Sequence, residues 1–318
     1  MKYSGIGGQA VIEGIMMMKG EDYAVAVRRP DKEIEVKKDT YQSITKKAKI
    51  LQLPFVRGVF RFADSMIIGM RSLTYSASFF EDDEDAEPGK FEQFLDREFG
   101  EKLESAIMAA VLVISFILAI GIFMLLPLGI ANLFKGVITS DHLMAVLEGV
   151  IRIAIFIIYI KLVSRMEDIR RTFMYHGAEH KCINCVEHGH PLTVKYVRES
   201  SKEHKRCGTS FILIVMVISI LMFMVIRVDT IWMRILSRII LVPVIAGISY
   251  EVLQCAGRSN SKFMDLVSRP GMWMQGLTTK EPDDSMIEVA IAATEAVFDW
   301  REYLTENFPG WEKQLEES

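Results

Sequence analysis

Hydrophobic and polar positions in this chain fall into long separate blocks. From Ser105 to Phe134 no residue is charged, and at about 1.5 Å per helical residue that run exceeds the roughly 30 Å of a bilayer's hydrocarbon. Pro127 falls late in the run and predicts a kink or an end to the helix there, with Asn132 and Lys135 beyond the membrane. Leu143 to Ile160 is a second span although it carries Glu148 and Arg152. Gly208 to Ile226 is a clean third, and Ile235 to Leu253 a fourth that carries Arg238, Pro243 and Glu251. The pattern predicts a mainly α, polytopic helical membrane protein with four transmembrane helices.

The remainder is polar and predicts an α+β portion. Tyr23 to Val27 and Ile34 to Lys37 flank an Arg-Pro-Asp-Lys turn signal and read as a β-hairpin. Pro54 to Phe80 is apolar but carries Arg57, Arg61, Asp64 and Arg71; it reads either as an amphipathic helix on the membrane surface or as a helix packed on the polar portion. The acidic run Glu81 to Glu87, ahead of Pro88 and Gly89, reads as a solvated linker. Asp283 to Leu304 follows Pro282 with acidic residues at its start and reads as one amphipathic helix. These divisions give an N-terminal region over 1–104, a membrane region over 105–253 that includes a polar loop at 164–207, and a C-terminal region over 254–318.

Composition explains the blocks. Half of the 318 residues are hydrophobic while 25% are charged, so the charges must be segregated, as in membrane proteins. Four cysteines cannot staple a chain of this length, and a net charge of −4 gives no nucleic-acid footprint. Gly5, Gly7, Gly8, Gln9 and Glu13 interrupt the start of the chain, which leaves no signal-peptide core. The 164–207 loop holds nine lysines and arginines, among them Arg165, Arg170, Arg171, Lys181 and Arg206, against few in the opposite loops (Lys135, Arg227, Arg234). The positive-inside rule then makes it cytoplasmic in a cell membrane, with both termini on the same side.

The stretch Tyr175-His176-Gly177-Ala178-Glu179-His180-Lys181 contains H-x-x-E-H, the inverted zincin pattern. Residues four apart share a helix face, so His176 and His180 could offer nitrogens to one ion with Glu179 beside them as base; the bland reading is two surface histidines on a charged helix. With His176 at 0° and about 100° per residue, His180 falls near 40°, but Cys182 and Cys185 fall near 240° and 180°. The cysteine pair therefore faces away and reads as two unreactive thiols. Glu187 returns to the histidine face but stands roughly 10 Å beyond His180 along the axis. His204 and Cys207, just before the third span, have suitable spacing for the remaining ligands. All four around one ion would make a closed structural zinc site, whereas three would leave a position for water.

In the second span Glu148 and Arg152 lie about 8 Å and about 14 Å from Leu143 by helical rise. They share a face, and Arg238 of the fourth span is a further partner for Glu148. The structural reading is a pin between helices, the functional one a polar path.

Gly7-Gly8-Gln9-Ala10-Val11-Ile12-Glu13-Gly14, Pro54-Phe55-Val56-Arg57-Gly58, the histidine stretch, Arg206-Cys207-Gly208-Thr209-Ser210-Phe211 and Arg269-Pro270-Gly271 with Gln275, Leu277, Thr278 and Thr279 together resemble the YqhQ-like family of bacterial membrane proteins. The resemblance covers nearly the whole chain. It implies a family of uncharacterised function whose members are described as metal-dependent enzymes, and it groups His176, Glu179, His180, His204 and Cys207 into one site. The chain departs from the family pattern at Lys205, where a proline usually stands, and at Cys182, which weighs against Cys182 as a ligand. The glycines around Glu13 fit tight turns, and Arg57, Gln275, Thr278 and Thr279 would line a polar cleft.

The expectation is therefore a membrane-anchored, zinc-dependent hydrolase. His176 and His180 would bind the metal with His204 or Cys207, and Glu179 would accept a proton from water. The competing expectation is a non-catalytic, metal-stabilised scaffold or assembly factor for membrane proteins, and a third is a small transporter built on Glu148 and Arg152. Expected partners are the bilayer, other membrane proteins and substrates at the membrane surface, with no nucleic acid.

Overall fold

The computed structural model describes residues 2–80, 110–111, 113–226, 230–259 and 261–315. The acidic run at 81–87, the start of the first span and Arg227 lie outside them. Four helices are long and apolar enough to cross a membrane: Val113–Asn132, Asp141–Val163, Gly208–Val225 and Leu236–Gly257. The second, third and fourth match the predicted spans to within a few residues, and the first matches at its C-terminal end. We call them α2 (Val113–Asn132), α3 (Asp141–Val163), α6 (Gly208–Val225) and α7 (Ile231–Arg258). Pro127 does not end α2. The helix relaxes into a π turn over Gly121–Leu125 and runs on to Asn132, because proline withholds an N–H without halting the chain.

The polar portion is built on a four-stranded antiparallel meander, β1 (Ile6–Val11), β2 (Gly14–Lys19), β3 (Asp22–Arg28) and β4 (Ile34–Thr40). The predicted hairpin is β3–β4, with Val25 opposite Lys37. Side chains alternate between two cores, as strand geometry requires. Ile15, Met17 and Ala26 enter one core with Tyr175, Ala178, Ile183, Ala290 and Trp300, while Met16, Tyr23, Val25 and Val27 enter a second with Ile68. The sheet is thus a middle layer. Helix α1 (Val56–Ala77) covers one face, and α4 (Glu167–Glu187) and α9 (Asp284–Val297) cover the other. Helix α1 also packs on α7, so it joins the polar portion to the fourth span.

Two local expectations are corrected. Gly7 and Gly8 do not make the turn: both lie in β1, and the turn into β2 is taken by Glu13 at φ 46°. The single helix expected over 283–304 is two, α9 and α10 (Trp300–Asn307). Asp283 caps the first through the Met286 N–H, and Asp299 starts the second by accepting the Arg301 and Glu302 N–H groups. An Asp that caps two amides favours a new helix over continuation of the old one. The remaining helices are α5 (Val194–Glu199) and α8 (Lys262–Thr278).

Candidate metal centre

Helix α4 supplies the motif face. Gly177 is required there because a Cβ would collide with the Lys280 carbonyl oxygen, and Lys280 N–H in turn bonds to Phe173 O. The chain after α8 therefore lies directly against α4. On the other side Gly8 lets β1 approach: a Cβ there would stand 2.9 Å from Glu179 Cγ. These two glycines bring the sheet and the end of α8 onto one turn of α4.

His176 and His180 face each other with ring centroids 4.4 Å apart. Each holds a backbone carbonyl through Nδ1: His176 binds Thr278 O at 3.0 Å and His180 binds Lys202 O at 2.7 Å. A carbonyl only accepts, so both rings carry a proton on Nδ1, and Nε2 is the acceptor of the neutral ring. Cys207 Sγ stands 3.3 Å from His176 Nε2. One ligand atom from each of His176, His180 and Cys207 falls within 4.8 Å of the other two. Nitrogen and sulfur donors at that spacing, each histidine oriented by a carbonyl behind it, suit zinc. Cys207 is also the N-cap of α6, its sulfur accepting the Thr209 N–H at 3.3 Å, and a helix N-terminus favours a negatively charged ligand.

Glu179 is 5% exposed, with its carboxylate 3.9 Å from His176 Nε2. Burial pushes this carboxyl above the usual carboxylate range, while His176 and a hydrogen bond from the Gly8 backbone pull it back. A buried carboxyl so tuned, beside a ligand cluster, has the character of a general base.

His204, expected as a ligand, is not in this trio. Its Nδ1 faces the Arg206 N–H at 3.4 Å and its Nε2 faces Glu187 Oε2 at 3.5 Å. An amide can only donate, so Nδ1 is an acceptor, while Nε2 lies between the Glu187 carboxylate and the Arg206 guanidinium, the latter at 3.4 Å. Both nitrogens are thus turned to neighbours, and burial lowers the His204 pKa, which keeps the ring neutral near pH 7. Glu187 is wholly buried and also takes the Arg206 guanidinium at 2.5 Å and the Ser4 hydroxyl at 2.8 Å. Burial alone would raise its carboxyl, but the His204 bond and the Arg206 charge outweigh it and hold the pKa at about 2.

The loop that delivers Cys207 is clamped by two further residues of α4. Lys181 Nζ donates to Arg198 O and Ser200 O, and Asn184 Nδ2 donates to Ser201 O and Glu203 O. Gln275 of α8, fully buried, accepts the His204 N–H and donates to His204 O and the Ser210 hydroxyl. Thr278 reaches the trio through its carbonyl and Gln275 holds the His204 backbone, while Thr279 is buried on the same segment. Arg57 does not join them: its guanidinium forks onto Glu251 of α7. Cys182 and Cys185 lie in the core, where burial raises both thiols, Cys185 to about 12; both stay protonated at neutral pH. The residues that sequence reasoning missed are Lys181, Asn184 and the carbonyls of Lys202 and Thr278. Asn184, at about 80° on the same helical wheel, borders the helix face of the histidines, which was a usable signal; Lys181, at about 140°, does not, and carbonyls have none. Glu13, to which no chemistry could be given, receives the Arg171 fork and the Tyr175 hydroxyl, and so fixes the β1–β2 turn to α4.

A family model described as "Protein of unknown function (DUF1385)" matches residues 53–300. A relative in Bacillus subtilis (strain 168), the uncharacterized protein YqhQ, is 34% identical over 286 residues, which cover 90% of this chain and 89% of the relative. No solved structure matches. By the extent of both matches and by the motifs that line the centre, the chain belongs to the DUF1385, YqhQ-like family.

Proposed function

We propose that the chain is a membrane-anchored, zinc-dependent hydrolase whose site faces the cytoplasm. The observation that carries this reading is the pair of Nδ1-to-carbonyl bonds that orient His176 and His180 in a cluster with Cys207, whose ligand atoms lie within 4.8 Å of one another. Three protein ligands leave a position for water, the arrangement of catalytic zinc. Zinc bound there would supply Lewis acidity to a water and to a carbonyl or phosphoryl oxygen. Glu179, whose buried carboxyl stands 3.9 Å from His176 Nε2 and accepts a hydrogen bond from the Gly8 backbone, would serve as the group that accepts a proton and returns it to a leaving group. Lys181 and Asn184 hold the Cys207 loop in register. The site lies beside the start of the third span, which favours a substrate presented at the membrane surface.

A second reading, a metal-stabilised scaffold, draws on the ties that His176 and His180 make to two separate segments. Elemental analysis of the detergent-purified full chain separates these readings from a metal-free one: about one zinc per chain is expected, lost in the His176→Ala/His180→Ala variant. No metal in either preparation, with stability unmoved by a chelator, overturns both. Glu179→Gln then distinguishes the two. A hydrolase keeps its zinc and loses turnover against a panel of fluorogenic peptides and phospholipids, whereas a scaffold keeps zinc and shows no turnover to lose.

A further inference from the structure

A second polar cluster lies at the opposite end of the spans. Glu148 of α3 receives two guanidinium groups, Arg152 on Oε1 and Arg238 of α7 on Oε2, each at 2.6 Å. The expected partnership of Glu148 with Arg238 is thus present. Arg152 also donates to Phe123 O at 3.1 Å, a carbonyl that would bond to the amide of residue 127 in a regular helix and cannot, since residue 127 is proline. The Phe223 ring sits 5.8 Å from Arg152 and 5.1 Å from Arg238, a favourable seat for cations.

The charges do not balance. Two arginines share one carboxylate, and arginine does not shed its proton in proteins. Glu148 and Arg238 are each 6% exposed, so one positive charge is left over in a buried setting, where an unbalanced charge is costly. Among the described residues Arg238 Nη1 has no hydrogen-bond partner. Arg238 and Glu148 border a cavity of about 370 Å³ whose wall also carries Asn132, Lys135, Thr139 and Asp141. Among the described residues the wall itself is formally balanced, Lys135 and Arg238 against Asp141 and Glu148, and the extra positive charge is that of Arg152, which shares Glu148 without lining the cavity. The wall is drawn from the ends of α2, α3, α6 and α7 and from the α2–α3 connection, which is headgroup depth rather than mid-bilayer. The volume is far above that of a monatomic ion, and guanidinium, ammonium, amide and hydroxyl donors together match the several acceptor oxygens of a phosphate.

We propose that this cavity binds a phosphate-bearing anion, the chemistry shared by an acidic phospholipid headgroup and free phosphate, with Arg238 as its main contact and Lys135 at the rim. The full chain, reconstituted in nanodiscs of phosphatidylcholine with or without phosphatidylglycerol, is examined by native mass spectrometry for retained lipid; inorganic phosphate is titrated separately in detergent by calorimetry. Retention of phosphatidylglycerol over phosphatidylcholine is expected, and binding of inorganic phosphate without that preference assigns the same site to free phosphate. Arg238→Gln should weaken binding on the order of tenfold or more, the loss of one charge-assisted contact. Glu148→Gln raises the local formal charge by one and should strengthen it. Lys135→Gln, an exposed change that leaves the buried triad intact, should weaken binding a few-fold and serves if Arg238→Gln does not fold. Equal retention of both lipids with no phosphate response in the wild type overturns the proposal. So does equal weakening by Glu148→Gln and Arg238→Gln, the behaviour of a plain helix pin.

Discussion

Three histidine rings, His180 and His204 buried and His176 partly so, crowd one side of the molecule, His176 and His180 with centroids 4.4 Å apart and His180 and His204 5.8 Å apart, yet they belong to two regions of different kinds. Around His176 and His180 a carbonyl takes Nδ1, and His176 Nε2 meets the Cys207 thiol at 3.3 Å, a hydrogen bond that metal binding would replace. Around His204 an amide takes Nδ1 while a carboxylate and a guanidinium, paired with each other, take Nε2. The difference teaches that proximity of ligand-type residues does not define a site. What defines it is the role that the neighbours leave to each ring nitrogen.

Removal of a member from each region should give opposite results, and this is the largest effect expected. Cys207→Ala takes a ligand and should abolish zinc retention through gel filtration, whereas His204→Ala should keep about one zinc per chain while it lowers stability. Zinc lost equally from both variants would erase the distinction and return His204 to the ligand set.

Acid should act on the second region by a calculable sign. The Glu187 carboxyl is lowered from 4.5 to about 2, so its stabilisation is complete above pH 4.5 and is lost as pH falls towards 2. His204, lowered below 6.5 chiefly by burial, acts in the same sense from a higher window: its contribution is complete above 6.5 and declines below that value. Glu187→Gln should therefore unfold about 3 kcal/mol more easily than wild type at neutral pH, from a shift of roughly 2.5 units, with Arg206 left buried without its counter-charge. The gap should close between pH 4.5 and 2 in denaturation curves recorded in detergent. A gap that stays constant down to about pH 3 would assign the acid sensitivity to other groups.

Gly177→Ala sharpens the comparison from the metal side. The obstacle to its Cβ is the backbone oxygen of Lys280, which cannot swing aside as a side chain can. The cost should be about 1–3 kcal/mol of stability. Because Thr278 O lies on the same segment as Lys280 and orients His176, zinc affinity should also fall by roughly 10- to 100-fold. A stable Gly177→Ala protein with wild-type zinc affinity would detach the α8 terminus from the site.

How much of this could be read from the chain follows the same logic of neighbours. The four spans were legible because a bilayer imposes length and apolarity on consecutive residues, and the histidine face was legible because helical spacing is local. The ion pair of Glu148 with Arg238 was legible too, since so few partners exist inside a membrane. Strands β1 and β2 were not: β2 is buried along most of its length, so it lacks alternation, and Gly7 and Gly8 mimic a turn. The role of His204 was hidden because its carboxylate partner lies 17 residues away on another element, and spacing alone cannot distinguish a histidine that binds a carboxylate from one that binds an ion. The orienting carbonyls of Lys202 and Thr278 carry no side-chain signal at all.

Arg57 tests the outer edge of this reasoning with the smallest effect. Sequence grouped it with Gln275 and Thr278, but its guanidinium is 40% exposed and forks onto Glu251 at 2.6–2.7 Å. Glu251 also accepts the Phe55 N–H, at the start of α1 where Phe55 holds φ 68°, so the carboxylate retains a partner when Arg57 is removed. Arg57→Gln should then cost no more than about 1 kcal/mol, the range of a partly solvated pair, and should leave zinc content unchanged. Glu251→Gln weakens the acceptor of both groups at once and should cost more than Arg57→Gln in the same denaturation series. Reversal of that order would mean that the fork, rather than the cap on α1, fastens the polar portion to the fourth span.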